Sequence, residues 1–193
     1  MLKQISNWFL KISSGRITLV CLLIFLLFGV LVLPDQAARA EVYSGDTGSP
    51  DTSLFYTSSD LYRFAEAYGP EGRAAYIRAR FTFDVAFPLV YTAFLVTAIS
   101  WLAKRINLPA NWMKQMNLLP LAGMILDFLE NGSAAIVIAR YPQTTAVIDH
   151  LAGVFTLLKW VFIGGSFAAL FIFALLFIWQ MTQKLRKNST NSG

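Results

Sequence analysis

Asp127, Glu130 and Asn131 stand inside an otherwise apolar run, LLPLAGMILDFLENGSAAIVI, at positions 118–138. At about 100° per residue a helix places all three on one face. Carboxylates in that setting can pair with a buried cation, hold a proton or contact a ligand. A later apolar run carries Thr156, Lys159 and Trp160, and an earlier one carries Asp84, Pro88 and Tyr91, whose spacing of four and then three also gives one face. Counted inward from the outer ends of their runs, Glu130 and Lys159 lie at nearly the same depth, so they are the expected ion pair. Asp127 falls deeper and is left without an obvious cation. Arg80 and Asp84 fall nearer the surface. Three carboxylates in the runs face one certain cation, Lys159, with Arg80 at the edge; burial and a like-charged neighbour both raise a carboxylate pKa, so one of Asp127 and Glu130 is expected to hold a proton at neutral pH while the other pairs with Lys159.

This arithmetic yields a candidate ligand-binding set: Asp84, Tyr91, Asp127, Glu130, Asn131, Thr156 and Lys159, with Arg73 and Arg80 guarding the mouth. Lys159 would attract an anionic group while the acids hold or move a proton. Tyr91 and Asn131 would complete the hydrogen bonding that a buried polar network requires. Pro88 removes one backbone hydrogen bond and tends to kink its helix, which would open the Asp84 face toward the other helices. The three acids could in principle hold a hard cation, but Lys159 competes for them, and no metal or cofactor is expected. No phosphate loop, zinc-ligand spacing or Ser/His/Asp set is present. The single His150, beside Asp149, reads as a solvated loop residue.

The elements that must position these groups follow from composition. The chain has 193 residues, 56% hydrophobic and 14% charged, which describes a polytopic membrane protein. A bilayer core of about 30 Å needs roughly 20 apolar residues in a helix. Four segments qualify, at about 17–33, 81–102, 118–138 and 151–181, with an extracytoplasmic loop and cap over 34–80. The predicted fold is therefore all-α: one membrane domain over 1–193, a four-helix bundle with a small extracytoplasmic helical cap.

The formal charge of +5 is a topology signal. The N-terminal stretch, the connection between the second and third runs, and the tail carry lysine and arginine and no acid. Acids outside the runs fall in the other two connections. Both termini are therefore expected on the cytoplasmic face of the cell membrane, and there is no nucleic-acid footprint. Ala38-Arg39-Ala40 resembles a signal-peptidase site, but the preceding run is long, and an uncleaved first span is expected. The lone Cys21 excludes an intrachain disulfide and reads as lipid-facing or packing.

Along the chain, Leu2, Ile5, Phe9 and Ile12 suggest a short interfacial helix or a disordered start. Residues 41–58 read as an irregular loop. Ser58 or Ser59 can cap a helix that Tyr68-Gly69-Pro70 breaks, and a second amphipathic helix is expected to run from Glu71 without interruption into the next span. Gly164-Gly165-Ser166 could let a neighbouring helix approach closely.

Taken together, Glu71-Gly72-Arg73 with Tyr76, then Asp84-x-x-x-Pro88-x-x-Tyr91, Asp127-x-x-Glu130-Asn131 and Thr156-x-x-Lys159-Trp160 resemble the pattern of a group of uncharacterised bacterial four-span integral membrane proteins. The resemblance covers about 59–160 and implies no activity. The functional expectation is binding of a small polar molecule or lipid headgroup, with proton exchange, in an extracytoplasmic-facing polar cavity among membrane lipids. The alternatives are a structural or assembly protein whose charges only fix helix packing, and an enzyme that modifies membrane lipid.

Segment 118–138 should insert poorly alone, because each central acid costs about 2.5–3.5 kcal/mol and each strong apolar residue returns only about 0.3–0.6. Replacing Asp127 and Glu130 together by leucine should raise the inserted fraction of the isolated segment sharply in a translocon glycosylation assay.

Overall fold

The computed structural model describes residues 1–50, 53–108 and 110–190, and these form helices and turns with no strand. Positions 51 and 52 of the predicted loop, 109 of the predicted basic connection and 191–193 of the predicted tail lie outside the described residues. Four helical stretches are long and apolar enough to cross a membrane: Gly15–Thr47, Gly69–Ala103, Asn111–Arg140 and Ile148–Lys187. Each contains one of the predicted spans and runs beyond it. Hydropathy marks where apolar side chains stop, whereas the backbone hydrogen-bond ladder continues into polar sequence.

The chain begins with α1 (Leu2–Ile12). Leu10 packs against the cluster around Ile99 and Leu102, and a buried polar contact fastens the helix beside it. Ser6 donates to Asn117 Oδ1 at 2.8 Å, and Asn117 Nδ2 returns bonds to the Ser6 carbonyl at 3.1 Å and Ser100 Oγ at 2.9 Å. Leu2 and Trp8 remain exposed.

Pro34 does not end the first long helix. Helix α2 (Gly15–Leu27) widens into a π-helical turn at Phe28–Val32, where the Leu33 amide reaches the Phe28 carbonyl, and continues as α3 (Leu33–Ser44). Pro34 has no amide to donate, and its ring would crowd the carbonyl four residues back in a regular helix. A wide turn one step earlier relieves that crowding. Residues 34–44 of the predicted loop region are thus helical, followed by a short 3-10 turn at Gly45–Thr47.

Thr57, not Ser58 or Ser59, caps α4 (Ser58–Ala67). Its hydroxyl accepts from the Asp60 amide at 3.2 Å, while Asp60 Oδ2 accepts from the Thr57 amide at 3.0 Å, a reciprocal capping box. Helix α5 (Gly69–Arg80) starts at Gly69, whose φ of +62° suits glycine. The expected uninterrupted run into the next span is broken by a turn at 81–82 before α6 (Phe83–Ala103), and Thr82 Oγ1 donates back to the Arg78 carbonyl at 2.8 Å. Pro88 sits buried within α6 and leaves the Asp84 carbonyl without its helical donor.

A 3-10 stretch, Asn111–Leu118, leads into α7 (Leu119–Arg140), and α8 (Ile148–Thr190) completes the chain. At about 1.5 Å per residue α8 is roughly 65 Å long, about twice the thickness of a bilayer core. Helices α6, α7 and α8 pack on one another, with α7 and α8 the most extensive pair, and α2 lies along α6. Phe25 stacks on Phe94 at 5.2 Å, and Phe28 stacks on both Phe83 and Phe87 at 5.6 Å. Cys21 is a half-buried packing residue on the same seam. The close approach of α7 to α8 is made by Gly123, where an added Cβ would lie 3.0 Å from Ile163 Cγ1. Of the predicted Gly164-Gly165-Ser166 surface, Gly164 is open, with nothing within 4 Å of an added Cβ, whereas one on Gly165 would lie 3.9 Å from Leu119 Cδ1 and Ser166 is buried.

At the other end of this helix pair, Tyr56, Leu61, Phe64, Tyr68 and Tyr76 bury against Ala134, Val137, Ile138 and Ala152. This seats α4 and α5 over the C-terminal end of α7 and the start of α8. The segment before α4 crosses α8 so closely that a Cβ on Gly153 would collide with the Tyr56 carbonyl.

Hydrogen bonds from the Thr57 side chain and backbone, then the Arg63 guanidinium, hold the Asp60 carboxyl below its usual range. A depressed carboxylate stabilises the fold above its unfolded pKa of about 3.9 and loses that contribution as pH falls through the lower folded value. Asp60→Asn should therefore flatten the acid-side loss of amide protection in the first turn of α4. Thr57→Ala should lower that protection by about 1 kcal/mol at neutral pH. Hydrogen exchange measured from pH 2 to pH 7 checks both.

Candidate functional site

The central feature is Lys159, on the face of α8 that α7 covers. Its Nζ is in direct ionic contact with Glu130 Oε2 and lies 3.4 Å from Asp127 Oδ1. One turn of α7 separates the two acids, so a single ammonium reaches both. Asp127, expected to lack a cation, therefore shares this one. All three groups are inside the protein, with exposures of 8% for Asp127, 1% for Glu130 and 5% for Lys159.

Each carboxylate has a tyrosine as well. Tyr91 on α6 donates to Asp127 Oδ2 at 3.0 Å, and Tyr56 donates to Glu130 Oε1 at 3.4 Å. Tyr91 belongs to the predicted set, and Tyr56 does not. Tyr56 lies in a stretch rich in Gly, Ser, Thr and Asp, and its only sequence signal is an aromatic pair, Phe55-Tyr56, in an otherwise polar loop. It is held over the site by the close pass at Gly153 and by Trp160, whose Nε1 donates to the Ser53 carbonyl at 3.2 Å.

The network continues outward through Asn131. Its Nδ2 donates to Asp127 Oδ1 at 3.3 Å, and its Oδ1 accepts from Arg80 at 3.3 Å. Arg80 then pairs with Asp84 at 2.8 Å, one helical turn on, and its guanidinium lies 4.4 Å from the centre of the buried Tyr76 ring. An amide is suited to this junction because it presents an acceptor to the arginine and a donor to the carboxylate at once. The run Asp84, Arg80, Asn131, Asp127, Lys159, Glu130 is continuous.

Two members of the predicted set stand elsewhere. Thr156 is fully buried, and its hydroxyl donates to the Ala152 carbonyl at 2.9 Å, an internal helix bond. Arg73 donates to the Ala65 carbonyl at 3.0 Å and stacks 5.1 Å over Tyr141. It ties α4, α5 and α7 together and does not line the mouth. His150 is 74% exposed and bonded to Asp149, whose other oxygen accepts from Tyr62 at 3.1 Å.

A cavity of about 560 Å³ lies between α3 and the junction of α5 with α6. Gln36, Arg39 and Ala40 form one wall, Ala75, Arg78 and Ala79 the other, with Leu33, Phe83, Arg80 and Asp84 among its other lining residues. Arg80 and Asp84 are the predicted site residues that reach it. Tyr91, Asp127, Glu130, Asn131 and Lys159 lie behind them in the packed helices and do not line it. Among the described residues no group of three or more His, Cys, Asp or Glu side chains is arranged to hold a metal ion.

Comparison with known proteins gives no match to a protein-family model, a curated protein or a solved structure.

Removing the shared cation leaves two buried carboxylates facing each other. Lys159→Met should lower stability by about 3–5 kcal/mol, the usual cost of breaking a buried pair from one side. The double variant Lys159→Met/Glu130→Gln should recover a substantial part of that loss in detergent unfolding measurements, giving a clearly non-additive cycle.

Proposed function

We propose that this chain is a multi-pass protein of the cell membrane, with both termini cytoplasmic, that binds a small polar molecule or lipid headgroup from the extracytoplasmic side and exchanges a proton with it. Lysine and arginine without acids in the N-terminal stretch, the 103–117 connection and the tail support that orientation. They also put α4, α5 and the cavity on the outer side.

The observation that carries the binding reading is the unbroken polar run from the cavity wall at Asp84 to Glu130. It contains three carboxylates and two cations. Full ionisation leaves one negative charge within the spans, and a single proton restores neutrality. An anion arriving at the cavity competes with Asp84 for Arg80, and Arg80 is bonded to the amide that touches Asp127. Ligand occupancy and proton occupancy are thereby coupled through neighbouring hydrogen bonds. Holding such groups is costly, since interhelical polar contacts in membranes return only about 0.6 kcal/mol on average.

A second reading has its own support. Glu130 is sealed beneath Tyr56, and both acids already have partners. In that case the cluster serves to fix the register of α7 against α8.

The two readings part on Glu130→Gln, which keeps shape and hydrogen bonding while removing the charge. With binding and proton exchange, the variant remains folded and loses a small molecule or lipid that mass spectrometry detects on gently purified wild-type protein. A folded variant whose retained molecules match the wild type leaves the Glu130 cluster with the packing role alone, whatever the cavity holds.

A further inference from the structure

We infer that the cavity between α3 and the α5–α6 junction is the seat of an anionic phospholipid, with its phosphate held by Arg78 and Arg39. This names a ligand class for the outward-facing site and rests on that reading.

Charge comes first. Among the described residues three arginines, Arg39, Arg78 and Arg80, line the cavity with a single carboxylate, Asp84. Arg80 is buried and engaged with Asp84 and Asn131, so Arg39 and Arg78 meet an arriving phosphate first and Arg80 links it to the polar run behind. Arg78 is exposed and has no ion-pair partner among the described residues. Among the described residues Arg39 is paired with Asp35 on its own helix and no other acid, with side-chain exposures of 72% and 53%. A solvent-exposed pair of that kind is worth about 0–1 kcal/mol, so Arg39 can turn to a stronger anion at little cost. The planar guanidinium fork suits phosphate oxygens. With Asp84 held by Arg80, the lining offers no free carboxylate to meet the ammonium of a zwitterionic headgroup.

Shape and depth then separate a lipid from a free phosphate. Arg39 lies six residues past Leu33 on α3 and Arg78 five residues before Phe83, so the two exposed arginines sit toward the α4–α5 side while Leu33 and Phe83 supply apolar lining toward the long apolar helices. Beyond them Val30, Leu31, Phe81 and Val85, on or flanking the same helices, are exposed apolar residues that an acyl chain can cover. Charge above and hydrocarbon below, at the end of two apolar helices, match an amphiphile at the bilayer surface. The volume of about 560 Å³ lies within the range of small-molecule sites.

Native mass spectrometry of the full chain from non-ionic detergent, titrated separately with phosphatidylglycerol, phosphatidylcholine and soluble glycerol phosphate, tests this. The expected result is a phosphatidylglycerol adduct preferred over phosphatidylcholine, weak binding of glycerol phosphate, and a loss of affinity of roughly tenfold or more in Arg39→Gln/Arg78→Gln. Both substitutions fall on exposed side chains, and circular dichroism should show the wild-type helix content. Equal phosphatidylcholine binding, or an adduct unchanged in the double variant, overturns the proposal. Glycerol phosphate binding as tightly as the lipid overturns the lipid assignment. If phosphatidylglycerol shows no preference while Glu130→Gln still loses another retained molecule, the ligand class fails and the binding reading stands. An arginine-dependent adduct together with unaltered retention in Glu130→Gln removes only the proton coupling.

Discussion

One ammonium shared by two carboxylates organises the interior of this protein. In a low-dielectric setting an unpaired Asp127 or Glu130 would exclude α7 from the apolar region, and an unpaired Lys159 would do the same to α8. Bringing the helices together removes these costs at once. It also demands a particular register, because Lys159 must fall between two acids one turn apart. Gly123, with Ile163 packed on it, allows the backbones to come close enough. The extensive contact between α7 and α8 and the seal made by Tyr56 follow from that requirement.

From this pair the polar groups do not scatter. They run in one direction, through an amide and an arginine, toward the side on which α4 and α5 sit. Each step uses a group whose hydrogen-bonding capacity matches its neighbours: ammonium to carboxylate, carboxylate to amide donor, amide acceptor to guanidinium, guanidinium to carboxylate. The Tyr76 ring under Arg80 adds a further favourable contact for a buried cation. The run holds one more acid than base and ends at a cavity wall.

The opposite end of the molecule uses a different solution. Ser6, Asn117 and Ser100 form an uncharged buried contact that fastens α1 against the turn before α7. Nothing in its residue types sets it apart from the other serine and asparagine positions, so only the packed chain reveals it. Tyr56 was hidden for a related reason: its partner, Glu130, is 74 residues away, and the loop that carries Tyr56 has no periodicity to betray the crossing.

The sequence alone determined the four apolar helices, the common face of Asp127, Glu130 and Asn131, and the match in depth between Glu130 and Lys159. These depend on local quantities, namely length, apolar content and the 3.6-residue period. Tertiary structure decided what those quantities cannot carry. It placed Asp127 on the same lysine as Glu130, made Arg80 the link from Asn131 to Asp84, and moved Arg73 and Thr156 to structural bonds. It also carried a helix past Pro34, because a π turn upstream absorbed the missing hydrogen bond. The physical reason is that periodicity assigns a residue to a face, while partnership depends on rotation and separation between helices, which are set only when the whole chain packs.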